Sequence, residues 1–348
     1  MKVLMCIRSD YYRNFGGDTV QMLKAADYLR KFGVDVDINN GFITDYSSYD
    51  IIHLFNLVRM GETYKYYKIA RYYKKNIVIT PLYWDLTRYY TYINDEENLK
   101  LWQRCNSYRK EIIRGSTTVY PNSTMEADMI KTQIGVNAQY KIIPSGVDII
   151  DEDIPLYGLK ERYELNNYVL SVGRICHRKN QLVLAQICKE LNIELVLIGV
   201  VSDTEYYEKC LEVKGTRHLG FLDSYNIYNA YRFARLHVLP GFAENPGLSS
   251  LEAAVSGCNI ASTNEGSSHE YFGGKAIYCN PYDEGSIYDA VKKGIKASKG
   301  CGLKIDIREK YSWEKCIKKL YKSYLEVLEE SFQENHMFIM KREGNMVK

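Results

Sequence analysis

Two glutamates, Glu244 and Glu252, bound the run Gly241-Phe242-Ala243-Glu244-Asn245-Pro246-Gly247-Leu248-Ser249-Ser250-Leu251-Glu252. The run follows an apolar stretch ending at Leu239-Pro240. Pro246 and Gly247 suit a loop turning into a helix, and Gly257 suits that helix's end. The first turn of a helix leaves backbone N–H groups without partners, here near Gly247 and Leu248, and such groups hold a phosphate or a sugar hydroxyl. Glu244 falls just before the helix and Glu252 on its second turn. Helical side chains lean back toward the N-terminus, so both carboxylates can face one cleft. Carboxylates pair well with the vicinal hydroxyls of sugars and ribose. The same spacing also describes a plain strand–loop–helix with two solvated glutamates.

A second stretch, Gly173-Arg174-Ile175-Cys176-His177-Arg178-Lys179-Asn180, follows the apolar run Tyr168–Val172. A strand, a glycine turn and a helix together make a phosphate-binding geometry. Arg174 brings a planar fork and Lys179 a point charge, a combination able to neutralise a diphosphate. Taken alone, both also read as ordinary exposed bases. Gly16-Gly17 sits in the first loop of the chain, where a missing Cβ lets backbone approach a ligand, although glycine also serves a merely flexible loop. No G-x-G-x-x-G pattern occurs, which counts against a nicotinamide enzyme. Asp35-Val36-Asp37 and Asp151-Glu152-Asp153 have a D-x-D spacing; strand alternation explains the first and a linker position the second, so both are read as structural. Tyr64–Lys75 carries five bases and no acid. On a helical wheel Tyr66, Ile69, Ala70 and Tyr73 share one face. The opposite basic face suits either solvent or an anionic lipid surface.

These groups need elements to hold them. Runs at Val3–Ile7, Val34–Ile38, Ile51–Phe55, Ile77–Thr80 and Thr117–Tyr120 read as strands, and Asp18–Lys31 as a helix. The alternation restarts with strands at Tyr168–Val172, Glu194–Ile198, Leu236–Leu239, Asn259–Ser262 and Ala276–Cys279. Such β-α alternation predicts α/β architecture with parallel sheets covered on both faces. Pro144-Ser145-Gly146-Val147-Asp148 and the acidic Asp151–Pro155 mark a linker. The 348 residues suit two domains. The first spans 1–150 and the second spans 151–313. Ser312 to about Glu334 forms one long helical pattern.

Composition bounds the partners. Hydrophobic residues are 46% and charged residues 26%, as in soluble globular chains. A net charge of +3 is too small to argue for nucleic acid. Nine scattered cysteines without a C-x-x-C pair suggest reduced, mostly buried thiols in a cytoplasmic protein. The N-terminus turns polar too soon for a signal peptide, and no run of about 18 apolar residues suggests a membrane span. Tyr, at 32 residues against 10 Phe, reads mainly as a replacement for Phe.

Together these stretches resemble the retaining glycosyltransferases of GT-B fold, family four, with the glycosyl transferases group 1 C-terminal domain. The resemblance covers nearly the whole chain. It rests on Glu244-x7-Glu252 with Asn245-Pro246-Gly247-Leu248 inside, on Gly173-Arg174 with Lys179-Asn180, on Ile143–Asp148, and on Gly220-Phe221-Leu222 and Tyr311-Ser312-Trp313. It implies two Rossmann-like domains facing a cleft, with a tail helix (about 314–348) crossing back to the first domain. It implies that Glu252 binds donor ribose hydroxyls and Glu244 the hydroxyls of the transferred sugar. Asn245, Pro246, Gly247 and Leu248 would present backbone to that sugar and the phosphate. Gly173, Arg174 and Lys179 would hold the diphosphate, and Gly16-Gly17 would approach from the other domain. The implied reaction moves a hexose-type sugar, with retention, from a sugar nucleotide to a glycan or glycolipid acceptor in cell-surface polysaccharide or glycolipid synthesis. It needs no cofactor and no metal, and the basic helix offers a route to the inner face of a membrane. A sugar-nucleotide epimerase or a non-catalytic sugar-nucleotide-binding subunit of the same fold are the alternatives. One departure stands out: where many relatives carry a histidine after the fourth strand, this chain has Thr80-Pro81-Leu82-Tyr83-Trp84-Asp85. His53, one strand earlier, reads as a buried residue.

Overall fold

The computed structural model describes residues 1–150 and 158–346, with side chains up to residue 333. The expected acidic linker Asp151–Pro155, with its D-x-D, lies outside the described residues.

Two parallel sheets form. The first contains β1 (Lys2–Cys6), β2 (Asp35–Asn39), β3 (Ile51–Phe55), β4 (Asn76–Thr80) and β5 (Thr118–Val119), in spatial order β2-β1-β3-β4-β5. The second contains β6 (Tyr168–Val172), β7 (Glu194–Ile198), β8 (Thr216–His218), β9 (Leu236–Leu239), β10 (Ile260–Thr263) and β11 (Ile277–Cys279), in order β11-β10-β9-β6-β7-β8. The strands are apolar almost throughout because helices cover both faces. Leu4 and Cys6, Ile52 and Leu54, Ile77 and Ile79 enter one core cluster, while Val3 and Met5, Ile51 and Phe55, and Val78 enter the other. That is the period-two alternation of a pleated strand with apolar residues at every position.

Each sheet reverses direction once. In the first the chain leaves β1 for β2 and returns past it to β3; in the second it runs β6-β7-β8 and then returns to β9. Both switch points open a crevice beyond the carboxyl ends of their strands, the place where open α/β sheets bind ligands. They are the β1/β3 and β6/β9 crevices.

The crossovers between domains run side by side. Val147 pairs with Ser312, its N–H donating to the Tyr311 carbonyl at 2.8 Å, and Trp313 donates back to the Val147 carbonyl at 3.3 Å. The long helix Trp313–Met346 then lies on the first domain. Its stripe Trp313, Ile317, Leu320, Tyr324 and Val327 recurs every three or four residues and joins the core above β1 and β3. His53 belongs to this contact. It is fully buried, with Nδ1 at 2.5 Å from the Tyr324 hydroxyl and Nε2 at 2.8 Å from Thr80 Oγ1. Burial pushes its pKa down to about 3, so it stays neutral and ties the sheet to the tail helix.

Asp35 and Asp37 lie on β2, where Lys2 stands 3.7 and 3.5 Å away and Tyr49 donates to Asp37 at 2.8 Å. That D-x-D is held by neighbours within the first sheet. The strand β8 has no counterpart in the sequence reading: Thr216-Arg217-His218 is a short, polar edge strand, recruited by pairing with β7.

Candidate active site

At the β6/β9 crevice, Gly173 and Arg174 leave β6, a single 3-10 turn at His177–Lys179 follows, and Asn180 adopts a left-handed backbone before the helix Gln181–Glu190. This turn aims Lys179 back across the crevice. Its Nζ lies 2.6 Å from Glu244 Oε1, and the glutamate is only 4% exposed. Lys179 is therefore ion-paired, whereas the sequence reading treated it simply as a charge for the diphosphate. With its carboxylate buried, Glu244 depends on this partner, because removing the lysine would leave a charge without water or a counter-ion.

The Glu244 backbone is fixed as firmly as its side chain. Its N–H donates to the Glu265 carbonyl at 2.9 Å and its carbonyl accepts from Ser267 N–H at 3.0 Å. Gly266 between them has φ +146, and a Cβ there would fall 1.7 Å from the Glu244 oxygen; no side chain fits. The Asn245-Pro246 peptide is cis. Ser267 Oγ donates to Asn245 Oδ1 at 2.6 Å, and Ser268 Oγ donates to the Pro246 carbonyl at 3.2 Å. Gly247 then opens the helix Leu248–Val255. A Cβ on Gly247 would lie 3.3 Å from Glu244 Oε2, so the start of that helix sits beside the carboxylate.

Glu252 stands on the second turn, half-buried. The hydroxyl of the buried Tyr231 donates to its Oε2 at 3.0 Å. Burial pushes the Glu252 pKa up to about 7, with the Tyr231 hydrogen bond pulling the other way and Asp148 adding to the rise. Glu244 and Glu252 thus have different surroundings, one ion-paired with a lysine and the other hydrogen-bonded by a neutral phenol.

The first domain supplies the opposite wall. Beyond β1, the buried Arg8 forks onto Asp18 (Nε, 2.8 Å) and Asp10 (Nη1, 2.7 Å) and donates to the Asn14 carbonyl at 2.5 Å. Asn56, beyond β3, donates to Asp18 at 3.2 Å. Burial opposes the charge of Asp18, but Arg8 outweighs it and holds the carboxyl below its usual range. This frame shapes the loop before the helix Gly17–Lys31. Arg174 reaches across from the second domain and donates to the Asn14 carbonyl at 3.2 Å and the Phe15 carbonyl at 3.4 Å. A Cβ on Gly16 would lie 2.8 Å from Arg174 Nη2, and one on Gly17 would lie 3.6 Å from Leu248. The structure therefore brings Gly16, Gly17, Arg174 and Leu248 together, and Gly173, Lys179, Glu244, Asn245, Pro246 and Gly247 adjoin them through the Lys179–Glu244 pair.

Several contributors carry no motif. Tyr231, Arg8, Asp18 and Asn56 hold functional candidates in place from distant parts of the sequence. Glu126 is fully buried at the start of the helix Thr124–Ile134 and accepts from the Tyr83 N–H at 2.7 Å and the Asn122 N–H at 2.6 Å. Glu270 of the second domain accepts from the Thr124 and Met125 N–H groups at 2.9 and 3.1 Å. The only advance sign of Glu126 is Ser123-x-x-Glu126, a capping-box spacing. Ser123 does cap the Glu126 N–H at 2.9 Å.

Two doubly wound domains that face each other through their switch points, closed by a C-terminal helix on the first, define the GT-B fold. Residues 160–302, within the second domain, match the family model described as glycosyl transferases group 1. In sequence the chain is 28% identical over 181 residues to an uncharacterised glycosyltransferase of Methanocaldococcus jannaschii, covering 46% of each. It is 31% identical over 137 residues to the 2-deoxystreptamine N-acetyl-D-glucosaminyltransferase of Niallia circulans, covering 36% of this chain and 35% of that one. The chain spans less than half the length of either relative. Among solved structures, sucrose-phosphate synthase from Thermosynechococcus elongatus superposes with a TM-score of 0.81 at 14% identity, over 95% of this chain and 100% of that one. Anabaena HepE in complex with UDP and glucose superposes with a TM-score of 0.74 at 15% identity, over 94% and 100%. At such identities the fold is what is shared.

Proposed function

We propose that the chain is a sugar-nucleotide-dependent glycosyltransferase. It moves a hexose-type sugar from a nucleoside-diphosphate sugar to a hydroxyl of a glycan or glycolipid, with retention, as the family-four resemblance implies. The observation that carries this reading is the Lys179–Glu244 pair at the β6/β9 crevice, faced by Arg174 and the Gly16-Gly17 loop, in the stretch that matches the glycosyl transferases group 1 model.

The chemistry follows from the groups present. Glu252 accepts from ribose hydroxyls. Glu244 accepts from the hydroxyls of the transferred sugar, and the first-turn N–H groups after Gly247 donate to sugar or phosphate. Arg174 and Lys179 stabilise the departing diphosphate, where negative charge grows as the glycosidic bond breaks. The two domain walls orient the acceptor hydroxyl against the anomeric carbon. The positive charge comes from these side chains, and no metal is part of the reading.

Cell-surface polysaccharide or glycolipid synthesis is the setting we propose, and the helix Met60–Tyr72 supports a membrane-facing position. Tyr66 and Ala70 are buried against the sheet, as the helical wheel predicts, while Lys65, Lys68, Arg71, Tyr72 and Lys74 are exposed. Among the described residues no helix is long and apolar enough to cross a membrane. A cytoplasmic protein resting on anionic lipid through this face fits both facts.

Product analysis with donor alone tests the reading. Slow release of nucleoside diphosphate and free sugar is expected. A new sugar nucleotide without diphosphate release would mark an epimerase, and binding without turnover across a broad acceptor panel would mark a non-catalytic subunit.

A further inference from the structure

Glu126 forms no ion pair among the described residues, although it is fully buried. A buried carboxylate persists only where hydrogen bonds replace its water. Two come from its own domain, the N–H groups of Tyr83 and Asn122. Tyr83 in turn is met from the other domain by the Asn245 side-chain amide. Asn245 is held on both sides. Its Oδ1 accepts from Ser267 Oγ at 2.6 Å within the second domain, and its Nδ2 reaches the Tyr83 carbonyl at 3.5 Å in the first. Asn245 directly precedes Pro246-Gly247-Leu248 and directly follows Glu244.

Glu270 crosses the same seam in the opposite sense, capping Thr124 and Met125. Tyr271 beside it donates to the Asn122 carbonyl at 2.6 Å. The start of one first-domain helix is thus where the domains interlock, and Glu126 braces the two backbone segments, at Tyr83 and Asn122, on which Asn245 and Tyr271 land.

We infer that Glu126 is a positioning residue: its carboxylate holds the Tyr83 backbone, whose carbonyl receives the Asn245 amide, and so sets the loop Asn245–Leu248 in place only when the domains are closed. The inference rests on the reading of this loop as the site of the transferred sugar. It adds that a residue touching neither donor nor acceptor gates transfer by linking domain closure to loop order. Protonation of Glu126 would put a donor where the Tyr83 and Asn122 N–H groups already point. Burial pushes its pKa up to about 7, the hydrogen bonds oppose the rise, and Glu270 and the Tyr271 phenol are the titratable groups facing it.

The test uses the full chain with Glu126→Gln, Glu126→Asp and Asn245→Ala. The probes are UDP-glucose, UDP-N-acetylglucosamine, GDP-mannose and their nucleoside diphosphates. First, amide exchange across 242–252, read by mass spectrometry, speeds up at least tenfold in all three variants; unchanged exchange overturns the inference whatever the chain's activity. Second, in the wild type's preferred donor, kcat falls at least tenfold while nucleoside-diphosphate Kd stays within about twofold. Glu126→Gln combined with Asn245→Ala is then no slower than either single variant. Independent, multiplying losses would mean that Glu126 acts elsewhere. A wild type that turns over none of the donors counts against the glycosyltransferase reading, while the exchange result still decides the role of Glu126. Should Glu126→Gln fail to fold, Glu126→Asp, which keeps the charge but withdraws it by one methylene, carries both readouts.

Discussion

Lys179 Nζ and Glu244 Oε1 lie 2.6 Å apart at the carboxyl ends of β6 and β9, with side chains 16% and 4% exposed. Two segments more than sixty residues apart in sequence thus meet as one charge pair. Removing a single partner of such a pair leaves a buried charge uncompensated, at a cost of roughly 3–5 kcal/mol, more than the pair itself contributes. Lys179→Ala should therefore destabilise the chain by about 3 kcal/mol in denaturant unfolding. Lys179→Ala with Glu244→Gln should recover most of that loss. A double variant as unstable as the single would show that the pair is not what neutralises Glu244.

Glu252 carries a pKa raised to about 7 and a single phenolic donor. If it binds ribose as a carboxylate, affinity for a nucleoside diphosphate should fall as pH drops through about 7 and the group protonates. Tyr231→Phe removes the hydrogen bond that favours the charged form, so this limb should move upward in pH. Glu252→Gln should abolish the limb. Calorimetric Kd values across pH check it, and the residual slope of Glu252→Gln reports the titration of the diphosphate itself.

Stability should run against activity near neutrality. The folded-state pKa of Glu126 is about 7 against an ordinary 4.5. Between those values the folded chain keeps a proton that the unfolded chain has lost, so stability falls as pH rises through this window. At about 1.4 kcal/mol per pKa unit the loss from this one group is on the order of 3 kcal/mol. Urea unfolding of wild type and Glu126→Gln at about pH 5 and about pH 7 should show the difference shrinking in the variant. Equal slopes would mean that Glu126 ionises normally in the folded chain.

The basic face of Met60–Tyr72 gives a salt-dependent prediction. Lys65, Lys68, Arg71 and Lys74 near an anionic surface contribute about 1 kcal/mol each at low ionic strength. Vesicles with phosphatidylglycerol should co-sediment with the protein at low salt and release it near 0.5 M, beyond the reach of screened charges (a Debye length of roughly 3–10 Å). Lys65→Glu with Arg71→Glu should remove the binding. Equal pelleting of that variant would place the contact elsewhere.

Much of this architecture was legible in the residues. Apolar runs at every strand position announced parallel sheets covered on both faces, and the expected strands differ from the observed ones by a residue or so: Val3–Ile7 against Lys2–Cys6, Val34–Ile38 against Asp35–Asn39. The exception, Thr216–His218, is a strand only because β7 offers it an edge. Glu244, Gly247, Lys179 and Gly16-Gly17 were singled out because short-range spacing on one loop or turn suits chemistry, and the structure places them around the candidate site. Their partners were not. Tyr231 reaches Glu252, Glu126 holds Tyr83, and Arg174 reaches Asn14 across distances in sequence that no local pattern encodes. The charge on Lys179 was legible, but its pairing with Glu244 was not, since that depends on how β6 and β9 come to be neighbours.

The most direct measurement is the rate of nucleoside-diphosphate release from the wild type's preferred sugar nucleotide, compared with Glu244→Ala and Lys179→Ala under saturating donor. The wild type should release nucleoside diphosphate and each variant should be slower by at least about a hundredfold, the scale expected when a charge facing the departing diphosphate is lost. Near-normal release by both variants would contradict this reading.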